Sequence, residues 1–192
     1  MIMKEGEGEG PLALRPIRPE ILHPDIEWSQ VWSLARTRGL GSELISFQFK
    51  MLHDLLPTQS RLSRIGMDDV NRGVCLHCRL DRDDLVHSIF QCITNNGVGQ
   101  ALLEVIQQIV PGMVAERAVL LDFQCQLSIE ESLATQCILV TGMKYIWETR
   151  MSRKVVNLFR MRAEIEAKIS ILRKSRYCNS AVLMENLISA WD

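Results

Sequence analysis

The 192-residue sequence has no apolar run long enough for a membrane helix, although 47% of its residues are apolar. A spanning helix needs about 20 consecutive apolar residues, so no membrane segment is expected and the apolar residues are available for a core. It also lacks charge of one sign: the formal net charge is -1, which gives no overall polyanion-binding signature. Sustained period-two alternation is missing, as are internal repeats, which disfavours sheets and solenoids. A glycine-rich phosphate loop, a nucleophile–base pair and an open metal site are all missing, so neither an enzyme nor a small-molecule substrate is expected. Three of the six cysteines, Cys125, Cys137 and Cys178, are scattered and do not form a disulfide framework. The opening Met-Ile-Met-Lys-Glu-Gly-Glu-Gly-Glu-Gly does not read as a signal peptide. The expected setting is a reducing one, nuclear or cytoplasmic.

What is present is a tight group of metal-ligand residues. Cys75, Cys78, His87 and Cys92 follow the pattern Cys-x2-Cys-x8-His-x4-Cys. Three thiolates and one imidazole form the closed tetrahedral set of a structural Zn²⁺, with no position left for a reactive water. Two rival readings are inert buried cysteines and a redox Cys-x-x-Cys pair. The redox pair is disfavoured because the turn-like Asn71-Arg72-Gly73-Val74 precedes it in place of an apolar strand. His77, adjacent to Cys78, is expected to be exposed and not a ligand. Asp81-Arg82-Asp83-Asp84 reads as a polar tip. Asp83 or Asp84 is expected to cap the segment carrying His87, to be solvated, or to accept its second N–H.

Along the chain, residues 1–24 read as a disordered tail, with Gly-Glu repeats and prolines at 11, 16, 19 and 24. A helical segment plus the knuckle is assigned to 25–93 and a helical C-terminal region to 94–192. Trp28, Val31 and Trp32 anchor the start. Ser42 is the expected N-cap of an apolar helix over 43–55, ended before Pro57. Thr58 is the expected cap of a short helix through Ile65 that stops at Gly66. Helical spacing recurs over 100–110, and 116–123 is ambiguous between helix and strand. A long helix over 129–149 is expected to run on to about Ser175, with Val155, Leu158, Phe159, Met161, Ile165, Ile169 and Leu172 on one side. Ala181 to Trp191 forms a terminal helix. The fold class is therefore mostly α: a small helical domain with a structural zinc knuckle, followed by a helical C-terminal region.

The run Phe47 to Gly66, F-Q-F-K-M-L-H-D-L-L-P-T-Q-S-R-L-S-R-I-G, precedes C-L-H-C and H-S-I-F-Q-C. This resembles the zinc-binding domain that follows the reverse transcriptase in LINE-type non-LTR retrotransposons. Cys75, Cys78, His87 and Cys92 match that family's ligands, and Trp28 and Trp32 its aromatic start. Lys50, His53, Pro57, Thr58, Arg61 and Arg64 match its helix-turn-helix segment. Downstream, an Asn-x-x-Gly turn (Asn96 to Gly99), Leu102-Leu103, Val110-Pro111, a Leu-x-Phe (Leu121 to Phe123) and Ile-Trp-x-x-Arg (Ile146 to Arg150) match more loosely. The resemblance implies a module that helps a polymerase engage template RNA or target DNA, with that polymerase or a second copy of the chain as possible protein partners. The polymerase's own metal-binding box is not matched: Gly66-Met67-Asp68-Asp69 lacks its aromatic and reads as a loop.

Phosphate contacts are expected from Lys50, His53, Arg61 and Arg64, with Thr58 adding helix N-terminal N–H donors. A second basic stretch runs from Lys144 to Arg176, where ten basic residues face three acidic. Arg153, Lys154 and Arg160 within it are the expected backbone contacts. For each of these the plain alternative is a solvated surface, and for His53 it is packing on Phe49. At the level of function the alternative is a zinc-stapled protein-interaction or scaffold module, or a non-functional retroelement relic. Trp147 is expected in the core.

Overall fold

A capping box starts the helix on which the fold is built. In the computed structural model, which describes residues 20, 23–35, 39–67, 72–123 and 125–191, the Ser128 hydroxyl accepts from the Glu131 N–H at 3.1 Å. The Glu131 carboxylate in turn accepts from the Ser128 N–H at 2.9 Å. This reciprocal pair satisfies two N–H groups that a helix start leaves without partners. The 23-residue helix that follows, Ile129–Met151, is about 34 Å long at the usual rise per residue. It is buried on nearly all sides, as a central helix should be, from Leu133 and Ala134 to Ile146, Trp147 and Arg150.

The other helices surround it. In chain order they are α1 (Trp28–Ala35), α2 (Ser42–Leu52), α3 (Gln59–Arg64), α4 (Val98–Gln107), α5 (Ala115–Leu120), the central α6, α7 (Leu158–Arg173) and α8 (Cys178–Ile188). A single π turn, His87–Gln91, and two short 3₁₀ turns, Ile93–Asn95 and Ser189–Trp191, complete the described helical structure. The protein is mostly α, as the sequence predicts, and among the described residues it contains no strand. One cluster of buried side chains runs from Leu40 and Leu44 through Leu102, Ile106 and Ile138 to Met161 and Ile188. A smaller one gathers Ile26, Trp28, Val31 and Leu52. Trp147 lies in the main core. Among the described residues no helix is long and apolar enough to cross a membrane.

Several boundaries differ from the sequence reading. The residue at the N-cap of α2 is Gly41, and Ser42 is already helical with no side-chain cap. The helix ends at Leu52, where His53 is the C-cap and Asp54 takes a left-handed φ of 49°. Residues 115–120 resolve their ambiguity as helix. The long helix does not continue to Ser175. It stops at Met151, and the chain turns at Arg153 (φ 54°), with Arg153 N–H donating to Arg150 O and Lys154 N–H to Thr149 O. The helix α7 then starts afresh at its cap, Asn157, whose side chain accepts from Arg160 N–H at 3.1 Å. Of the residues placed on one apolar side, Met161, Ile165, Ile169 and Leu172 are buried within this chain, whereas Val155 and Phe159 are exposed. The tail reading for 1–24 falls mostly, and the loop reading for Asp68–Asp69 wholly, outside the described residues.

One glycine is required by packing. A Cβ at Gly99 would lie 2.1 Å from the Ile89 carbonyl oxygen and 2.8 Å from Phe90 Cα. The start of α4 thus presses directly on the backbone of the π turn that carries His87.

Candidate metal centre

The x4 spacing between His87 and Cys92 is closed by the π turn. Cys92 N–H donates to His87 O at 2.8 Å, a five-residue hydrogen bond that brings the two side chains together. The Cys-x-x-Cys half is a tight loop: Cys75 N–H donates to Asp81 O and Arg79 N–H to Cys75 O, each at 2.9 Å. Arg79 adopts a left-handed φ of 58°. An antiparallel bridge between Val74 and Arg82 closes its base. From there Arg82 Nε donates to Ser60 Oγ and Ser60 N–H to Asp83 O, which ties the loop to α3.

These two halves bring Cys75, Cys78, His87 and Cys92 together, with all four ligand atoms within 4.8 Å of one another. Cys75 Sγ is 3.9 Å from Cys92 Sγ, Cys78 Sγ is 3.3 Å from His87 Nε2, and none of the thiols is in a disulfide. A tetrahedral ion with metal–S near 2.3 Å and metal–N near 2.0 Å sets ligand atoms roughly 3.5–3.8 Å apart, so the spacing fits a metal ion of that size. His87 presents Nε2 inward. Its Nδ1 faces Asp81 Oδ2 at 4.0 Å, too long for a hydrogen bond. His77 is exposed, as expected.

Burial and hydrogen-bond donors act on the thiols in opposite directions. Backbone N–H groups of Cys78 and His77 reach Cys75, and the Thr94 hydroxyl and N–H reach Cys92. Burial pushes the Cys75 thiol up to about 11 against those bonds and Arg150. At Cys92 burial also raises the thiol, but Thr94 and Arg150 outweigh it and bring it down to about 6. A cation between the two sulfurs would hold both deprotonated.

The largest addition to the predicted site comes from α6. Arg150, 3% exposed, extends from the last turn of that helix into the knuckle. Its Nη2 donates to Cys75 Sγ at 3.3 Å and to Asp83 Oδ1 at 3.4 Å, and its Nη1 to Asn95 Oδ1 at 3.1 Å and Thr94 Oγ1 at 3.3 Å. Asn95 returns two hydrogen bonds to the carbonyls of Ser88 and Ile89 in the π turn, both at 2.9 Å. Asp83 is buried rather than part of a polar tip, because it accepts from Gln59 N–H and Ser88 Oγ as well. Asp84 caps the helical residues 85–86 that lead into the π turn, accepting from His87 N–H at 2.9 Å. The only sequence signal for Arg150 was the final residue of Ile-Trp-x-x-Arg. Nothing local links it to a cysteine 75 positions earlier.

The residues expected at nucleic acid divide into two groups. Thr58 is buried and caps α3, accepting from Arg61 N–H at 3.2 Å. The adjoining Gln59 N–H is taken by Asp83, so this helix start offers no phosphate site, contrary to expectation. Arg61 and Arg64 both bind Asp54. The His53 ring packs between Trp32, at 5.3 Å between centroids, and Phe49, at 4.2 Å. In contrast, Lys154 and Arg160 line one groove of about 530 Å³ with Lys168. Lys50 lines a second, of about 580 Å³, and both grooves share Glu43, Lys144, Glu148 and Ser152. Lys144 bridges Glu43 (2.6 Å) and Glu148 (2.8 Å) along this face. Arg153 is exposed in the turn between α6 and α7. Compared with known families, curated proteins and solved structures, the chain matches no family model, no curated protein and no solved structure.

Proposed function

We propose that this chain is a nucleic-acid-associated module stapled by one structural Zn²⁺, similar to the region that follows the reverse transcriptase of LINE-type non-LTR retrotransposons, with no catalytic activity of its own. The observation that carries the metal is the closed Cys75–Cys78–His87–Cys92 set, whose sulfurs are met by N–H and guanidinium donors. Borderline-soft thiolate and imidazole ligands in a tetrahedron suit zinc. Lys50, Lys154, Arg160 and Lys168 at the two adjoining grooves, with exposed Arg153, support a track for the phosphates of template RNA or target DNA. Glu43, Glu148 and Glu164 on the same face limit its net charge, so the reading is of a contributing contact and not a high-affinity site.

The test is salt-titrated binding of the zinc-loaded chain to labelled single-stranded RNA and duplex DNA. Affinity should fall linearly on a log–log plot between about 50 and 200 mM salt. Replacing Lys154 and Arg160 together by Glu should reduce the magnitude of the slope by about two. Binding that is absent or insensitive to salt would leave the second reading, a zinc-stapled protein-interaction or scaffold module. Exposed Phe49, Val155 and Phe159 favour that reading.

A further inference from the structure

Arginine is almost never fully buried without partners, and Arg150 makes an unusual choice of them. A buried guanidinium beside a carboxylate normally spends both of its ends on that carboxylate. Here Asp83 has only one long contact with Arg150, at 3.4 Å, because its oxygens already accept from Ser88 Oγ at 2.6 Å and Gln59 N–H at 3.0 Å. The remaining Arg150 donors go to Cys75 Sγ and to Thr94 and Asn95, two and three residues after Cys92. One arm of the fork therefore meets Cys75 Sγ directly, and the other meets the Thr94 hydroxyl that itself contacts Cys92 Sγ, the two sulfurs standing 3.9 Å apart.

Resting on the zinc reading above, we propose that Arg150 is a positioning residue of the metal centre, setting its affinity by donating to ligand thiolates and supplying the positive charge that offsets them. Three thiolates, one neutral imidazole and Zn²⁺ sum to one negative charge, in a place where Cys75 is wholly buried. A buried charge without a counter-charge is costly, and the exposed Asp81 and the buried Asp83 add to the negative side. Arg150 is the cation in direct contact with that site among the described residues, while Arg153 acts on the adjacent His77 from the next turn. Groups that orient metal ligands from behind typically change metal affinity 10- to 100-fold when removed.

The experiment uses the full chain, titrated with Co²⁺ and then with Zn²⁺ against a chromogenic chelator. It compares wild type, Arg150→Met and Arg150→Lys. The Met variant should bind Zn²⁺ about 10- to 100-fold more weakly. The Lys variant keeps the charge but loses the fork, and it should recover part of that loss. In both variants the sulfur-to-Co²⁺ charge-transfer band should shift, because the donor to Cys75 changes. If the variants bind Zn²⁺ within a factor of about two of wild type with the band unmoved, Arg150 is only a packing residue and the inference is overturned, whatever their stability without metal. Should Arg150→Met fail to fold, the Lys variant decides by the same two readouts. A wild type that takes up neither ion overturns the zinc reading and this inference with it.

Discussion

A side chain at position 99 has nowhere to go. The atoms it would meet, Ile89 O and Phe90 Cα, are backbone, so no rotamer change relieves the clash. Gly99→Ala is predicted to cost ~3 kcal/mol of unfolding free energy, read from chemical denaturation of the metal-loaded protein. A loss below about 0.5 kcal/mol would refute the close approach. Single residues also mark the limit of what the sequence reveals. The four ligands were legible because their spacing is local, and the Thr58 cap because it sits one residue before its helix. The roles of Arg150, Asp83 and Asn95 were not, since each depends on a partner brought in by folding: Arg150 and Asn95 lie 55 positions apart. Asp83 looked like a surface charge among charged neighbours, and only its three inward contacts reveal it as buried.

For the elements, the helix class and most helix positions followed from apolar spacing, whereas stops without glycine or proline did not. The turn after α6 is made by Arg153 in a left-handed conformation, which non-glycine residues adopt uncommonly, so the segment 152–157 reads as uninterrupted helix. Its one signal was Asn157, a good N-cap residue in mid-pattern. Asn157→Ala is predicted to destabilise the protein by about 1 kcal/mol, a shift of a few degrees in thermal midpoint measured by circular dichroism. An unchanged midpoint would mean that α7 does not depend on that cap. The apolar surface of residues 129–149 is enclosed by this chain's own α2, α4, α7 and α8.

In the whole molecule, the candidate metal centre sits against the shared core and not at the end of a separate lobe: Ile89 and Phe90 of the π turn belong to the same buried cluster as α6 and α8. Stripping the metal should therefore be felt throughout. Addition of a strong chelator is predicted to lower the unfolding midpoint of the entire helical signal in one transition, as binding energy to the native state is lost. A midpoint that does not move, or a knuckle that melts alone while Trp147 fluorescence holds, would sink that expectation. The reach of Arg150 back to Cys75 also has a consequence in time. A ribosome that has finished Cys92 has made all four residues of the candidate site, yet it must add 58 more residues before the guanidinium exists. At ordinary elongation speeds that is about 3–12 s, during which Cys75 is without its guanidinium partner.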